Sequence, residues 1–111
     1  MRSSLHEAKA ELFRTMGHPV RVRVLELLFA RPMAVHELLS VIEVEASSLS
    51  QQLAVLRRAG LVSSVREGST VRYTLATEDV ADVMAAARRI LTDLLSGREE
   101  LLRELRDAAS A

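Results

Sequence analysis

Four neutral polar side chains lie close together near the middle of the chain: Ser47, Ser48, Gln51 and Gln52. A glutamine amide has a donor and an acceptor and can pair with the edge of adenine through two hydrogen bonds, and a serine hydroxyl can pair with either base type. A helix surface that only faces water normally carries charged side chains, as residues 98–107 do. The four side chains therefore predict a surface that meets base-pair edges in the major groove of double-stranded DNA. An ordinary neutral surface is the alternative.

Four arginines are concentrated in residues 46–75, although the formal net charge of the whole chain is zero. They are Arg57, Arg58, Arg66 and Arg72, against a single acidic residue, Glu67. Positive charge gathered on one segment favours phosphate binding, because each neutralised phosphate releases counterions. We expect Arg57 to face phosphates, and Arg66 and Arg72 to reach the minor groove or its phosphates. Simple solvation of a strand edge is the alternative for Arg66 and Arg72. For Arg58, stabilisation of a helix C-terminus is almost as good an explanation.

The elements that must position these side chains follow from hydrophobic spacing. Leu49, Leu53 and Leu56 recur at helical intervals, which predicts a helix over residues 46–59 with the four polar side chains on the other face. Apolar and polar residues alternate from Thr70 to Leu75, which predicts a hairpin over residues 61–75 that turns at Glu67–Ser69.

The remaining periodic segments predict helices over residues 5–16, 19–31, 34–42, 77–96 and 98–109, with a break at Gly97. The predicted fold is mainly α with a small β-hairpin wing, in the order α-α-α-α-β-β-α-α, and forms one winged helix-turn-helix domain over residues 1–111. Residues 34–60 would be the helix-turn-helix and residues 61–75 the wing. Residues 5–16 and 77–109 would be dimerisation helices.

The stretch from Met16 to Leu75 resembles the ArsR/SmtB family of bacterial winged-helix repressors. The segments that carry the resemblance are GHPVRVRVLELL (17–28), SLSQQLAVLRRAGLV (48–62), REG (66–68) and YTL (73–75). The resemblance implies homodimers that bind palindromic operators and release them when an inducer arrives.

Apolar stripes on the first and the penultimate helix exceed what a small core needs, and such stripes usually pair with another chain. The predicted dimer-interface residues are Leu5, Leu12, Val83, Ala87, Ile90, Leu91 and Leu94. Folding of both helices back onto their own domain is the alternative. A two-fold dimer would place its two copies of the helix over residues 46–59 about 34 Å apart, which is one turn of DNA.

The metal sites of the family are not reproduced in this sequence. Where a Cys-x-Cys pair would stand, the chain reads Ala34-Val35-His36, and the long fifth segment has aspartates but no histidine. We therefore expect neither a metal nor another cofactor. We interpret His6, His18 and His36 as surface or capping residues. The lack of cysteine also excludes disulfides and thiol sensing. An unknown small-molecule effector, a protein partner and constitutive action all remain open.

Several other classes are disfavoured. The chain has no glycine-rich phosphate loop and no nucleophile near a base, so we do not expect an enzyme. No apolar run reaches the roughly 20 residues that a membrane helix needs, and no signal peptide is recognisable, so we expect a cytoplasmic protein. A winged-helix protein-interaction module that does not bind DNA is the alternative function.

Overall fold

The computed structural model describes residues 4–110, which divide into two compact units with the boundary between Ala81 and Asp82. The elements in chain order are α1 (Leu5–Met16), α2 (Pro19–Ala30), β1 (Met33–Ala34), α3 (Val35–Leu39), α4 (Ala46–Arg58), β2 (Val62–Glu67), β3 (Thr70–Leu75) and α5 (Glu78–Ser110). The first unit contains everything up to the first turn of α5. The second unit is the rest of α5. The predicted fold class, helical with a small winged sheet, is confirmed.

The core of the first unit is aliphatic and is centred on α4, which packs against α2, α3 and β2. Leu49, Leu53 and Leu56 are at most 1% exposed, as their spacing predicts. Burial of each leucine stabilises the fold by about 1.5–3 kcal/mol. Together these three side chains fix which face of α4 turns inward, and therefore which face turns outward.

Local capping determines where the helices begin. The Ser4 hydroxyl accepts a hydrogen bond from the Glu7 backbone N–H at 3.1 Å and caps α1. At the start of α2, His18 Nδ1 accepts from the Val20 N–H at 3.2 Å, and Pro19 takes the first helical position, where no backbone donor is needed. The interpretation of His18 as a capping residue is confirmed.

The sheet has three antiparallel strands in the order β1-β3-β2. The prediction lacked β1, whose residues Met33 and Ala34 pair with Tyr73 and Arg72, and α3 is shorter than the predicted helix over residues 34–42. In the hairpin, Glu67 pairs with Thr70, which leaves a two-residue turn. Gly68 has φ +65°, and a glycine with positive φ at the first turn position is what a type II′ hairpin requires.

Helix α5 continues through Gly97, so the predicted break there is wrong. A glycine inside a helix costs about 1 kcal/mol relative to alanine. Here leucines and arginines on both sides, and glutamates after Gly97, are strong helix formers and offset that cost. Val80 and Ala81, in the first turn of α5, are buried in the first unit. Among residues 4–110, the helices are too short or too polar to cross a bilayer.

Candidate nucleic-acid interface

The outward face of α4 follows directly from its buried leucines. Positions four, seven and eleven residues apart fall on one helical stripe, and Ser47, Gln51 and Arg58 have this spacing opposite the leucines. All three are exposed. The stripe therefore combines a hydroxyl, an amide and a guanidinium, and it includes Arg58, which the sequence alone did not separate from a helix-terminal charge.

Ser48 and Gln52 lie on the flank of α4 rather than at the centre of the outward face, and both are half-buried. Gln52 Oε1 accepts a hydrogen bond from Arg21 Nε at 2.9 Å, so its amide is already held by α2. Its neighbour Gln51 has no side-chain hydrogen bond to the described part of the chain. The two glutamines, which the sequence placed together, therefore sit in different environments.

The opposite flank of α4 faces the wing across an open cleft of about 270 Å³. The cleft is lined by Ser50, Ala54, Arg57, Arg58 and Tyr73. Neither arginine forms an ion pair with any residue between 4 and 110, so both positive charges remain available to an anion. Sequence reasoning did not include Ser50 or Tyr73 in the site. All six residues of β3 are half-buried, and Tyr73 shares the apolar side of its alternating sequence with Val71 and Leu75, so no local pattern pointed to it.

The two wing arginines differ in how they are held. Arg66 is exposed near the hairpin turn and has no ion pair within the described residues. Arg72 is half-buried, and its guanidinium contacts Glu37 at 2.9 Å and Glu67 at 3.3 Å. Arg66 is therefore free to meet a phosphate, whereas Arg72 connects β3 to α3.

Glu37 is the acceptor at the centre of this connection. Its carboxylate accepts hydrogen bonds from the Ala34 backbone N–H at 3.0 Å and from Arg31 at 2.6 Å, in addition to Arg72. The Ala34 hydrogen bond and the nearby guanidinium groups lower the pKa of Glu37 from 4.5 to about 2. The carboxylate thus remains charged and ties α3, the end of α2 and the wing together.

The predicted dimer residues are mostly exposed in the single chain. In the first unit, Leu5 on α1 is 66% exposed and Leu12 is 39% exposed. In the second unit, Ala87, Ile90, Leu91 and Leu94 are exposed, whereas Val83 is half-buried. Both units therefore present apolar side chains to solvent.

Helix α4 has a polar outward face and packs against α2, α3 and the winged sheet. This arrangement, with α4 as the recognition helix, defines a winged helix-turn-helix DNA-binding protein. Residues 18–64 match the family model described as the bacterial regulatory protein, arsR family. The chain is 48% identical over 108 residues to the transcriptional regulator Rv0081 of Mycobacterium tuberculosis, covering 96% of this chain and 95% of that protein. This chain belongs to the ArsR family of DNA-binding transcriptional regulators, as the resemblance predicted.

Solved structures of similar proteins support the same family assignment. The crystal structure of M. tuberculosis Rv0081 superposes with a TM-score of 0.81 and covers 87% of this chain and 98% of that one. The homodimeric winged helix-turn-helix domain of Mb0332 from Mycobacterium bovis is 27% identical, with a TM-score of 0.75 and coverage of 84% and 86%. The transcriptional activator HlyU of Vibrio cholerae is 38% identical over 71% of this chain and 73% of its own length. Rv0081 and HlyU are described as transcriptional regulators, and Mb0332 as a possible one.

Proposed function

We propose that this protein is a homodimeric repressor that binds a palindromic operator. The observation that carries the proposal is the outward stripe of α4, in which Ser47, Gln51 and Arg58 face away from a core fixed by leucines. Such side chains can hydrogen-bond base edges in the major groove and, at the arginine end, a phosphate. Ser48 and Gln52 extend this surface toward α2.

Phosphate contacts would hold the stripe in register. Arg57 lines the cleft between α4 and the wing, and Arg66 stands free near the wing turn. In this proposal, both side chains contact the DNA backbone on either side of the groove that α4 enters. Arg72 approaches the same backbone while held by Glu37 and Glu67, so its charge is partly neutralised by the protein itself.

In this proposal, a second copy of the chain binds the second half of the operator. The α1 side chains Leu5 and Leu12 and the apolar positions of α5 beyond residue 82 are the surfaces proposed to be covered by a second copy. Support comes from their exposure in the single chain and from the homodimeric state of Mb0332. Two-fold symmetry makes the operator an inverted repeat with half-sites about 34 Å apart.

The test is a binding titration with the DNA upstream of the gene, labelled for fluorescence anisotropy, at several salt concentrations. We expect saturable binding at two chains per site and a linear fall of log affinity with log salt. A protein that gives no binding and no salt dependence would instead fit an interaction module. Deletion of the gene should raise transcription from that promoter, whereas a fall would indicate activation, the activity for which HlyU is named.

A further inference from the structure

Arg21 of α2 joins the end of α1 to the middle of α4. Its Nε donates to Gln52 Oε1 at 2.9 Å, and its Nη1 donates to the Thr15 carbonyl oxygen at 2.8 Å. Thr15 lies in the last turn of α1, where backbone carbonyls have no partner within the helix. All three residues are half-buried, so water competes only weakly for these hydrogen bonds.

The chemistry of the guanidinium decides which way the Gln52 amide is turned. Arginine has five N–H donors and no acceptor, so only the amide oxygen can face it. The hydrogen bond from Arg21 occupies one of the two lone pairs of Oε1, whereas both N–H donors of Nε2 are left for a further partner. Gln51, exposed and without such a clamp, keeps both its donor and its acceptor.

We propose that Arg21 is a positioning residue that holds the Gln52 amide in one orientation, so that Gln52 reads the operator mainly as a donor. The inference rests on the proposed DNA-binding function. Guanine presents two acceptors, N7 and O6, in the major groove, whereas two-bond pairing of glutamine with adenine needs Oε1 to accept from N6. Gln52 therefore favours guanine, where two acceptors stand side by side, over adenine, where one acceptor stands beside a donor. Gln51 is the glutamine that is free to adopt the two-bond pairing with adenine.

The contact between Arg21 and Gln52 is a hydrogen bond from a charged group to a neutral one, and not an ion pair. Arg21 has no carboxylate partner among residues 4–110, and its charge is held by two neutral oxygens, one of them at the negative end of the α1 dipole. A carboxylate at position 52 would bind Arg21 more tightly but would carry no N–H donor. The variant Gln52→Glu therefore keeps the clamp and removes the donors.

The test is selection of bound sequences from a randomised duplex library about 20 base pairs long, two helical turns. The wild type is compared with Arg21→Met, Gln52→Glu and the control Arg23→Met, since Arg23 is exposed on the same helix and has no hydrogen bond to the described residues. We expect wild type and control to prefer guanine over adenine by about tenfold at one position of each half-site. In Arg21→Met the amide is free to rotate, and the preference should fall below about threefold. Gln52→Glu should lose the preference for guanine.

The outcomes separate this inference from the function on which it rests. A wild type that selects no sequence overturns both. A wild type that selects a sequence, with the same guanine preference in Arg21→Met or in folded Gln52→Glu, overturns the role of Arg21 alone. Thermal melting establishes that each variant is folded, and if Arg21→Met does not fold, Gln52→Glu carries the test. In the free protein, the NMR signal of Arg21 Nε–H should exchange slowly with water and be lost in Gln52→Ala, and a signal unchanged by that substitution also overturns it.

Discussion

Gln51 is the side chain of α4 best placed to read a base. It is exposed, lies on the stripe shared with Ser47 and Arg58, and has no internal partner within the described chain. We expect Gln51→Ala to lower affinity for the operator about tenfold and to relax the base preference at one position of each half-site. Competition titrations with single-base operator variants measure both effects. Ser96→Ala, at an exposed polar position of α5, should change neither, and unchanged base preference in Gln51→Ala would contradict the assignment.

Substitution of Arg66 tests the proposed contact with a phosphate. Because Arg66 is free of ion pairs within residues 4–110, Arg66→Ala should weaken binding to all sequences alike and reduce the slope of log affinity against log salt by about 1. Anisotropy titrations over a range of salt concentrations measure the slope. Arg103→Ala on α5 is the matched control, with an exposed arginine removed far along the chain. A loss confined to one operator sequence would argue for base contact instead.

At the scale of single residues, the sequence predicted the face of α4 but not its internal partners. The leucine spacing alone determines that Ser47 and Gln51 point outward, since the helical repeat is a local property. The hydrogen bond of Gln52 joins residues 31 positions apart, and the ion pair of Arg72 with Glu37 joins residues 35 apart. Contacts of that range depend on how the helices pack, so no local pattern could reveal them.

At the scale of elements, Glu37 makes the attachment of the wing dependent on pH. Its pKa is about 2 in the folded protein against an ordinary value of 4.5. A carboxyl whose pKa is lowered on folding stabilises the fold fully above its unfolded pKa, and this contribution is lost as the pH falls through the folded pKa. The contribution of Glu37 is therefore present at neutral pH and disappears between pH 4.5 and about 2.

We expect Glu37→Gln to lower the melting temperature at neutral pH and to flatten its decline between pH 4.5 and about 2. The neutral amide can still accept hydrogen bonds but no longer attracts Arg31 and Arg72 electrostatically. Melting curves followed by circular dichroism across this range measure the effect. Glu99→Gln, on the exposed surface of α5, serves as control. An acid decline as steep in Glu37→Gln as in the wild type would contradict this role.

Gly97 and Gly68 give a matched pair of substitutions. An alanine Cβ at Gly97 meets no atom within 4 Å, and the backbone there is helical, so Gly97→Ala should stabilise α5 by about 1 kcal/mol. Gly68 has equal space but φ +65°, so Gly68→Ala should destabilise the wing by about 1–2 kcal/mol. Chemical denaturation measures both. Destabilisation by Gly97→Ala would mean that a neighbouring chain approaches α5 closely at this point.

The elements that the sequence predicted well are those with several turns of clear periodicity, such as α1 and α4. Strand β1 has only two residues, Met33 and Ala34, and is defined by its pairing with β3 rather than by any pattern of its own. The break predicted at Gly97 gave too much weight to one residue. In a helix of 33 residues, its neighbours outweigh the local cost.

At the scale of the whole molecule, dimerisation is expected to control DNA affinity. Leu94 is 60% exposed in the second unit, and a charge there would have to be buried if this face meets a second copy. We expect Leu94→Glu to convert the dimer into a 12.3 kDa monomer and to weaken operator binding by about 100-fold or more, because each chain then binds a half-site alone. Light scattering and anisotropy titrations measure the two effects.

Val41→Glu is the control for this substitution. Val41 is also an exposed aliphatic residue, at 45%, but it lies after α3 and outside the predicted interface. We expect this variant to keep the mass and the affinity of the wild type. Dimers of unchanged stability in Leu94→Glu would show that the apolar side of α5 serves another purpose.

The cleft between α4 and the wing also contains an intrinsic fluorophore. Tyr73 is the sole tyrosine and the sequence contains no tryptophan, so ultraviolet emission from the folded chain arises almost entirely beside Arg57 and Arg58. A DNA backbone that enters the cleft changes the surroundings of this phenol directly. Occupancy of the operator can thus be followed through intrinsic fluorescence, without a dye attached to either molecule.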